Sequence, residues 1–234
     1  MINIMKVNRG NIKASLKVEP IKIPVKYQLI KKRAPKEMSL PDDAKIYGMR
    51  NEESSATVMI FKVDDRWNPM NYDDVEACIT GTRNSMNENQ GIIEIKNGTL
   101  SSGGKYIYNI VKQARGTPEN REFGMDYITN FNFDIGDDTY FLNAAFIEEG
   151  STGMRDTFGW TMIRKALEEK AEKEGTDFDS DDFFRNKWTK DPYDESVKDG
   201  VLMNISEDSE LDYLFPNHPL SQLRALLSYI IENN

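Results

Sequence analysis

A single cysteine, Cys78, stands in the whole 234-residue chain, and with it a single histidine, His218. One thiol excludes an intrachain disulfide and any cysteine-rich zinc site, and one imidazole leaves little room for His-based chemistry. Long apolar runs are missing too, so no segment reads as a membrane-spanning helix. The opening residues MINIMKVNRGNIKASLKVE alternate polar and apolar and lack the continuous apolar core of a secretory signal. The expected location is therefore a reducing, bacterial cytoplasm. Glycine (15) and proline (9) are too scarce for collagen-like or low-complexity chains. With 38% hydrophobic and 10% aromatic residues, the chain has enough apolar material for an ordered core.

Acidic charge dominates overall, at −9, but unevenly. Residues 1–36 hold ten Lys/Arg against one acid, Glu19, a local +9 that leaves −18 for the rest. Such an arm can seek nucleic acid or anionic lipid, or fold back on its own acidic body. The body would repel a polyanion unless the arm projected beyond a Debye length of roughly 8–10 Å, which favours docking. Within the arm, Ile21, Ile23, Val25, Tyr27 and Leu29 alternate with Lys22, Pro24, Lys26 and Gln28. That spacing predicts a strand with one apolar face, and Pro24 and the lysines make it an edge strand. These five apolar residues are the candidate interaction surface, against the protein's own sheet or another protein. The run from Lys31 to Lys36, followed by Pro41, reads as a linker. Three regions follow: a basic arm over 1–40, a core domain over 41–174, and an acidic irregular connector with a C-terminal helix packed on the core over 175–234.

Inside the core region the periodicity predicts a strand over 56–63 and a helix over 71–88 capped by Asn71. A strand over 91–96 follows, with a turn at Asn97-Gly98, then another strand over 105–115. Residues 125–135 alternate cleanly, with Met125, Tyr127, Thr129, Phe131, Phe133 and Ile135 on one face. A turn at Gly136-Asp137-Asp138 makes them a hairpin with 139–148. Ser151 or Thr152 is the expected cap of a helix that Gly175 stops. Its first half, with Met154, Phe158, Met162, Ile163, Ala166 and Leu167, is sticky, while its second half is charged. The last helix opens near Pro219 and carries Leu220, Leu223, Leu226, Leu227, Ile230 and Ile231 as a stripe that needs a partner surface.

Motifs with chemistry are weak. Thr99 to Tyr106 contains Gly103-Gly104-Lys105 but lacks the first glycine of a phosphate loop and leads into a strand. Asp177, Asp179 and Asp181 match the first, third and fifth positions of a calcium loop. Asp182 then stands where glycine makes the sharp turn, and Trp188 where a bidentate glutamate closes the site. His218 reads as a residue at a helix start, and no nucleophile motif accompanies it. Cys78 lies beside an apolar helical stripe and reads as a structural thiol. Tyr27 is the lone aromatic of the arm, which argues against a base-stacking platform.

The strand ATVMIFKV, the helix YDDVEACITGTRNSM and the hairpin DYITNFNFDIGDDTYFLNAAF occur in an order that resembles the Mog1/PsbP-like α/β/α fold, over about 120 residues. The resemblance implies a central antiparallel sheet flanked by helices. It also implies a mostly non-enzymatic role, as in a small-GTPase regulator, photosystem accessory subunits and chaperones of bacterial secreted effectors. The resulting expectation is an α+β protein that binds another protein as an adaptor, chaperone or immunity-like factor. It would have no cofactor, no metal and no catalytic residue. Two alternatives stay open: a nucleic-acid-binding module using residues 1–36, and an enzyme with an unrecognised carboxylate site.

Overall fold

The computed structural model describes residues 21–31, 41–64, 71–117 and 120–234. Seven strands build one antiparallel sheet: β1 (Gln28–Lys31), β2 (Lys45–Arg50), β3 (Ser54–Lys62), β4 (Gln90–Thr99), β5 (Lys105–Thr117), β6 (Asn120–Ile135) and β7 (Asp138–Glu148). Their order across the sheet is β1-β2-β3-β7-β6-β5-β4. Four helices accompany them among the described residues: α1 (Val75–Ser85), α2 (Met154–Glu174), α3 (Ser180–Asn186) and α4 (Pro219–Asn233). The chain between α3 and α4 makes a two-residue ladder, β8 (Thr189–Lys190) with β9 (Met203–Asn204), and two 3-10 turns at Ile205–Glu207 and Ser209–Leu214. The fold is thus α+β with a central antiparallel sheet.

Period-two alternation decides which face is core. In β6 it sends Tyr127, Thr129, Phe131 and Phe133 to one side, all buried. The registers align Val58, Ala144, Thr129 and Ile110 in one row across four strands. Onto this face α4 lays Leu220, Leu223, Leu226, Leu227 and Ile230, each 2% exposed or less. The opposite face is covered at one end by α1, whose Cys78 and Ile79 pack on Ile92, Ile95 and Ile107. A bulge between Ile92 and Glu94 puts two successive residues, Ile93 and Glu94, on the α4 side. That irregularity carries a carboxylate into the core.

The structure departs from the sequence reading in five places. The strand expected over Ile21 to Leu29 is confined to Gln28–Lys31, because Pro24 has no N–H for a ladder and opens a turn in which the Tyr27 N–H donates to the Pro24 carbonyl. Residues 21–27 instead form a strap: Lys22 and the side chain of Asn234 exchange two hydrogen bonds, and Ile21 and Ile23 pack against the core. The strand lies at a sheet edge as expected, although the proline is outside it. β2 is new, its sequence KIYGMR being too mixed to announce a strand. Asn97-Gly98 lies inside β4, and the chain reverses at Leu100–Gly104. Asp74, not Asn71, caps α1, accepting from the Ala77 N–H at 2.8 Å. Neither Ser151 nor Thr152 caps α2; Gly153 holds the cap position, and Gly175 in a left-handed conformation ends the helix as expected.

Since Leu223 is fully buried between α4 and the sheet, Leu223→Ala is expected to cost about 2–5 kcal/mol in denaturant unfolding. Tyr213→Ala, at a side chain 75% exposed, should change stability by no more than about 0.5 kcal/mol.

Candidate functional site

Charged side chains collect where α2, α4 and the 3-10 turns meet the core face of the sheet. Arg155, at the start of α2 and 1% exposed, donates to the Ser206 carbonyl at 2.6 Å and the Asp208 carbonyl at 3.0 Å. It also donates to Asp212 Oδ1 at 2.9 Å and Ser221 Oγ at 2.8 Å. Arg224 of α4 bridges the same Asp212, at 3.1 Å, to Glu94 at the bulge, at 3.2 Å. The hydroxyl of Tyr108 donates to the other Glu94 oxygen at 2.8 Å. Beside this chain Lys112 of β5 and Glu207 form a buried pair at 2.7 Å. Glu207 also accepts from the Tyr127 hydroxyl at 2.9 Å and the Asn204 N–H at 2.8 Å. Burial and then the neighbouring Glu207 charge hold the Tyr127 phenol well above its usual range. Each cation here faces a carboxylate, and Arg155 also reaches two backbone carbonyls and the Ser221 hydroxyl, which is the condition for burying charge at all.

At the edge of this network Glu148 and His218 meet. The Glu148 carboxylate accepts from the N–H groups of Gly153 at 2.8 Å and Met125 at 3.1 Å, so it replaces the missing side-chain cap of α2. Burial nevertheless raises its pKa. His218 caps α4, its Nδ1 accepting from the Leu220 N–H at 3.3 Å, which places the imidazole proton on Nε2, 3.9 Å from Glu148 Oε1. Burial first, and then the nearby Arg155 and Arg224 charges, push the imidazole down to about 3. The residue is a neutral cap.

The uncovered part of the opposite sheet face carries an amide ladder. Asn109, Asn130 and Asn143 are direct cross-strand neighbours. Asn143 donates to Asn130 Oδ1 at 2.9 Å, the Asn130 N–H donates to Asn109 Oδ1 at 2.9 Å, and Asn109 donates to Thr82 Oγ1 of α1 at 2.9 Å. A cavity of about 200 Å³ opens beside it, lined by Thr82, Ser85, Gln90 and the first two asparagines. Ser85 and Gln90 are bonded to their own neighbours, and the Asn109–Thr82 bond ties α1 to the sheet.

Of the five residues expected to form an interaction surface, the structure separates rather than gathers. Tyr27 is buried edge-on to Phe146 at 6.4 Å, and Ile21 and Ile23 are half-buried. Val25 is 96% and Leu29 42% exposed. The calcium-like run is a helix start, with Asp179 accepting from the N–H groups of Asp181 and Asp182, and Trp188 is buried. No group of three or more metal-ligating side chains gathers among the described residues. Cys78 is buried, and that burial raises its thiol. None of the described helices is long and apolar enough to cross a membrane.

Among the described helices, α2 carries the most exposed large apolar side chains. Only Arg155 and Gly159 are buried along its 21 residues. Gly159 permits the close approach, since a Cβ there would stand 2.6 Å from the Ser206 Cβ. Trp160 turns toward α3, stacking on Phe183 and meeting Phe184 and Trp188 edge-on. On the other side Met154, Phe158 and Met162, four apart and therefore stacked, are 45%, 51% and 48% exposed. The sequence signalled their stickiness. It also held an unread signal for the ionic network: Lys112 and Arg224 occupy inward positions of an alternating strand and an apolar helical stripe.

Two outcomes test the network. His218 is neutral when folded, and its folded value lies below the ordinary 6.5, so its contribution is intact above pH 6.5. It is lost as pH falls toward 3, by about 1.4 kcal/mol per unit. Glu148, shifted upward, has the opposite sign and offsets part of that loss at the acid end. His218→Asn, which keeps a capping oxygen, should flatten the fall of Tm between pH 6.5 and 4. Glu207→Gln, leaving Lys112 buried without a counter-charge, should cost roughly 3–5 kcal/mol, and the double variant with Lys112→Met less than the two single losses added, read by denaturant unfolding. No family model matches the chain and no curated protein does, so its function has to be read from its own surface and chemistry.

Proposed function

We propose that this protein acts by binding another protein, as an adaptor, chaperone or immunity-like factor of a bacterial cytoplasm. The supporting observation is the α2 stripe. Met154, Phe158 and Met162 stand about half exposed on one side of a helix whose other side packs on the 3-10 turn and α3. Fully burying such side chains is worth roughly 1.5–3 kcal/mol each, and covering the half still exposed about half of that, which over three residues is a sizeable share of a binding free energy. Methionine and phenylalanine together also make an adaptable surface. By contrast, the buried ionic side chains already have internal partners. An antiparallel sheet with helices on both faces supports the Mog1/PsbP-like reading, and with it a binding role.

A photocrosslinking residue at position 158, expressed in the native cells, should give one discrete protein adduct, while the same residue at position 137, exposed in the turn between β6 and β7, should give none. The Phe158→Ser/Met162→Ser variant should lose the partner and keep its Tm, each exposed site being worth no more than about 0.5 kcal/mol to stability. No adduct from position 158 would overturn the reading.

A further inference from the structure

We propose that α2 and the turn after it form one docking surface for a basic amphipathic helix of a partner protein. This rests on the protein-binding reading and adds the partner's chemistry. Between residues 168 and 182 eight carboxylates stand against two lysines, and all ten side chains are exposed. The ion pairs that engage this stretch are exposed and long: Lys170 meets Glu174 at 3.9 Å, and, from just before it, Lys165 meets Glu169 at 3.9 Å and Arg164 meets Glu168 at 3.5 Å. The negative field is therefore largely uncompensated.

The two features are aligned. At 100° per residue, Glu169 and Glu172 fall on the same side of α2 as Met154, Phe158 and Met162. One helix face thus runs from apolar to acidic over about 27 Å, at roughly 1.5 Å per residue. The C-terminal end of α2 adds the negative pole of its macrodipole to the same end. A complementary segment is a helix of about 18 residues, apolar at one end and rich in Lys/Arg at the other. Its apolar end would cover Phe158, and its cationic end would lie over residues 168–182. Because the charges are exposed, they set orientation and association rate, while the apolar contact slows dissociation. An acidic segment is repelled, and so is a nucleic acid.

The test uses two synthetic 18-residue amphipathic peptides with the same leucine stripe, one with lysines and one with glutamates at its charged end, titrated onto the full chain by fluorescence anisotropy. The lysine peptide should bind and weaken several-fold from low to physiological salt, and the glutamate peptide should not bind. Phe158→Ser/Met162→Ser should weaken binding at least tenfold, and Glu169→Gln/Glu172→Gln should weaken it several-fold and flatten the salt dependence. Equal binding of both peptides, no binding of either, or lysine-peptide binding that ignores the stripe variant would overturn the proposal. A peptide of residues 1–20 that bound the stripe more tightly than the lysine peptide would assign the surface to this chain's own arm, and overturn it too. A crosslink from position 158 to a partner without a basic helix would sink the basic-helix assignment and leave the binding role standing; failure of both experiments would sink both.

Discussion

Arg155 is the group on which the rest of the architecture hangs. Its guanidinium is withdrawn from water and must be surrounded by acceptors, and it finds them in both 3-10 turns and in α4. A planar fork with five donors can join several segments at fixed angles in a way that an ammonium cannot. The irregular stretch between α3 and α4 has only a two-residue ladder and two 3-10 turns of its own, so this polar clamp, with Lys112 and Glu207 beside it, helps give it a defined path. Arg224 passes the constraint on through Asp212 to Glu94, and so to the edge of the sheet.

Much of the sheet could be read from alternation. β3, β5, β6 and β7 each carry enough inward apolar residues for period two to stand out, and α4 declares itself by its leucines. The strand β2 could not be found this way, because Ile46, Tyr47 and Met49 are interrupted by Gly48 and flanked by Lys45 and Arg50. It becomes a strand because β3 offers a ladder edge, a tertiary cause that local sequence does not contain. The strap failed for the converse reason: its alternation is real, but a single proline removes the donor a ladder would need. Pattern reading also favours apolar signals, so it passed over Arg155 and Glu207, whose roles depend on segments roughly 50 to 95 residues distant in the chain.

The α2 stripe was visible as a run of sticky residues, but its exposure was not. Whether a helical stripe faces a core or water depends on what arrives opposite it, and here the small Gly159 and the aromatic Trp160 draw the other side of the helix inward. A helix with two stripes and one covering surface must leave one of them outside.

The order of elements along the chain also sets a timetable. Every strand of the seven-stranded sheet precedes residue 149, whereas the helix that shields its apolar face begins at Pro219. During synthesis at roughly 5–20 residues per second, the aromatic rows of β6 and β7 would wait several seconds for their cover. Over that interval the nascent sheet is an aggregation hazard on the ribosome. The acidic segment made in the meantime, spanning 168–182, supplies like-charge repulsion between neighbouring chains at the very stage when they are most adhesive.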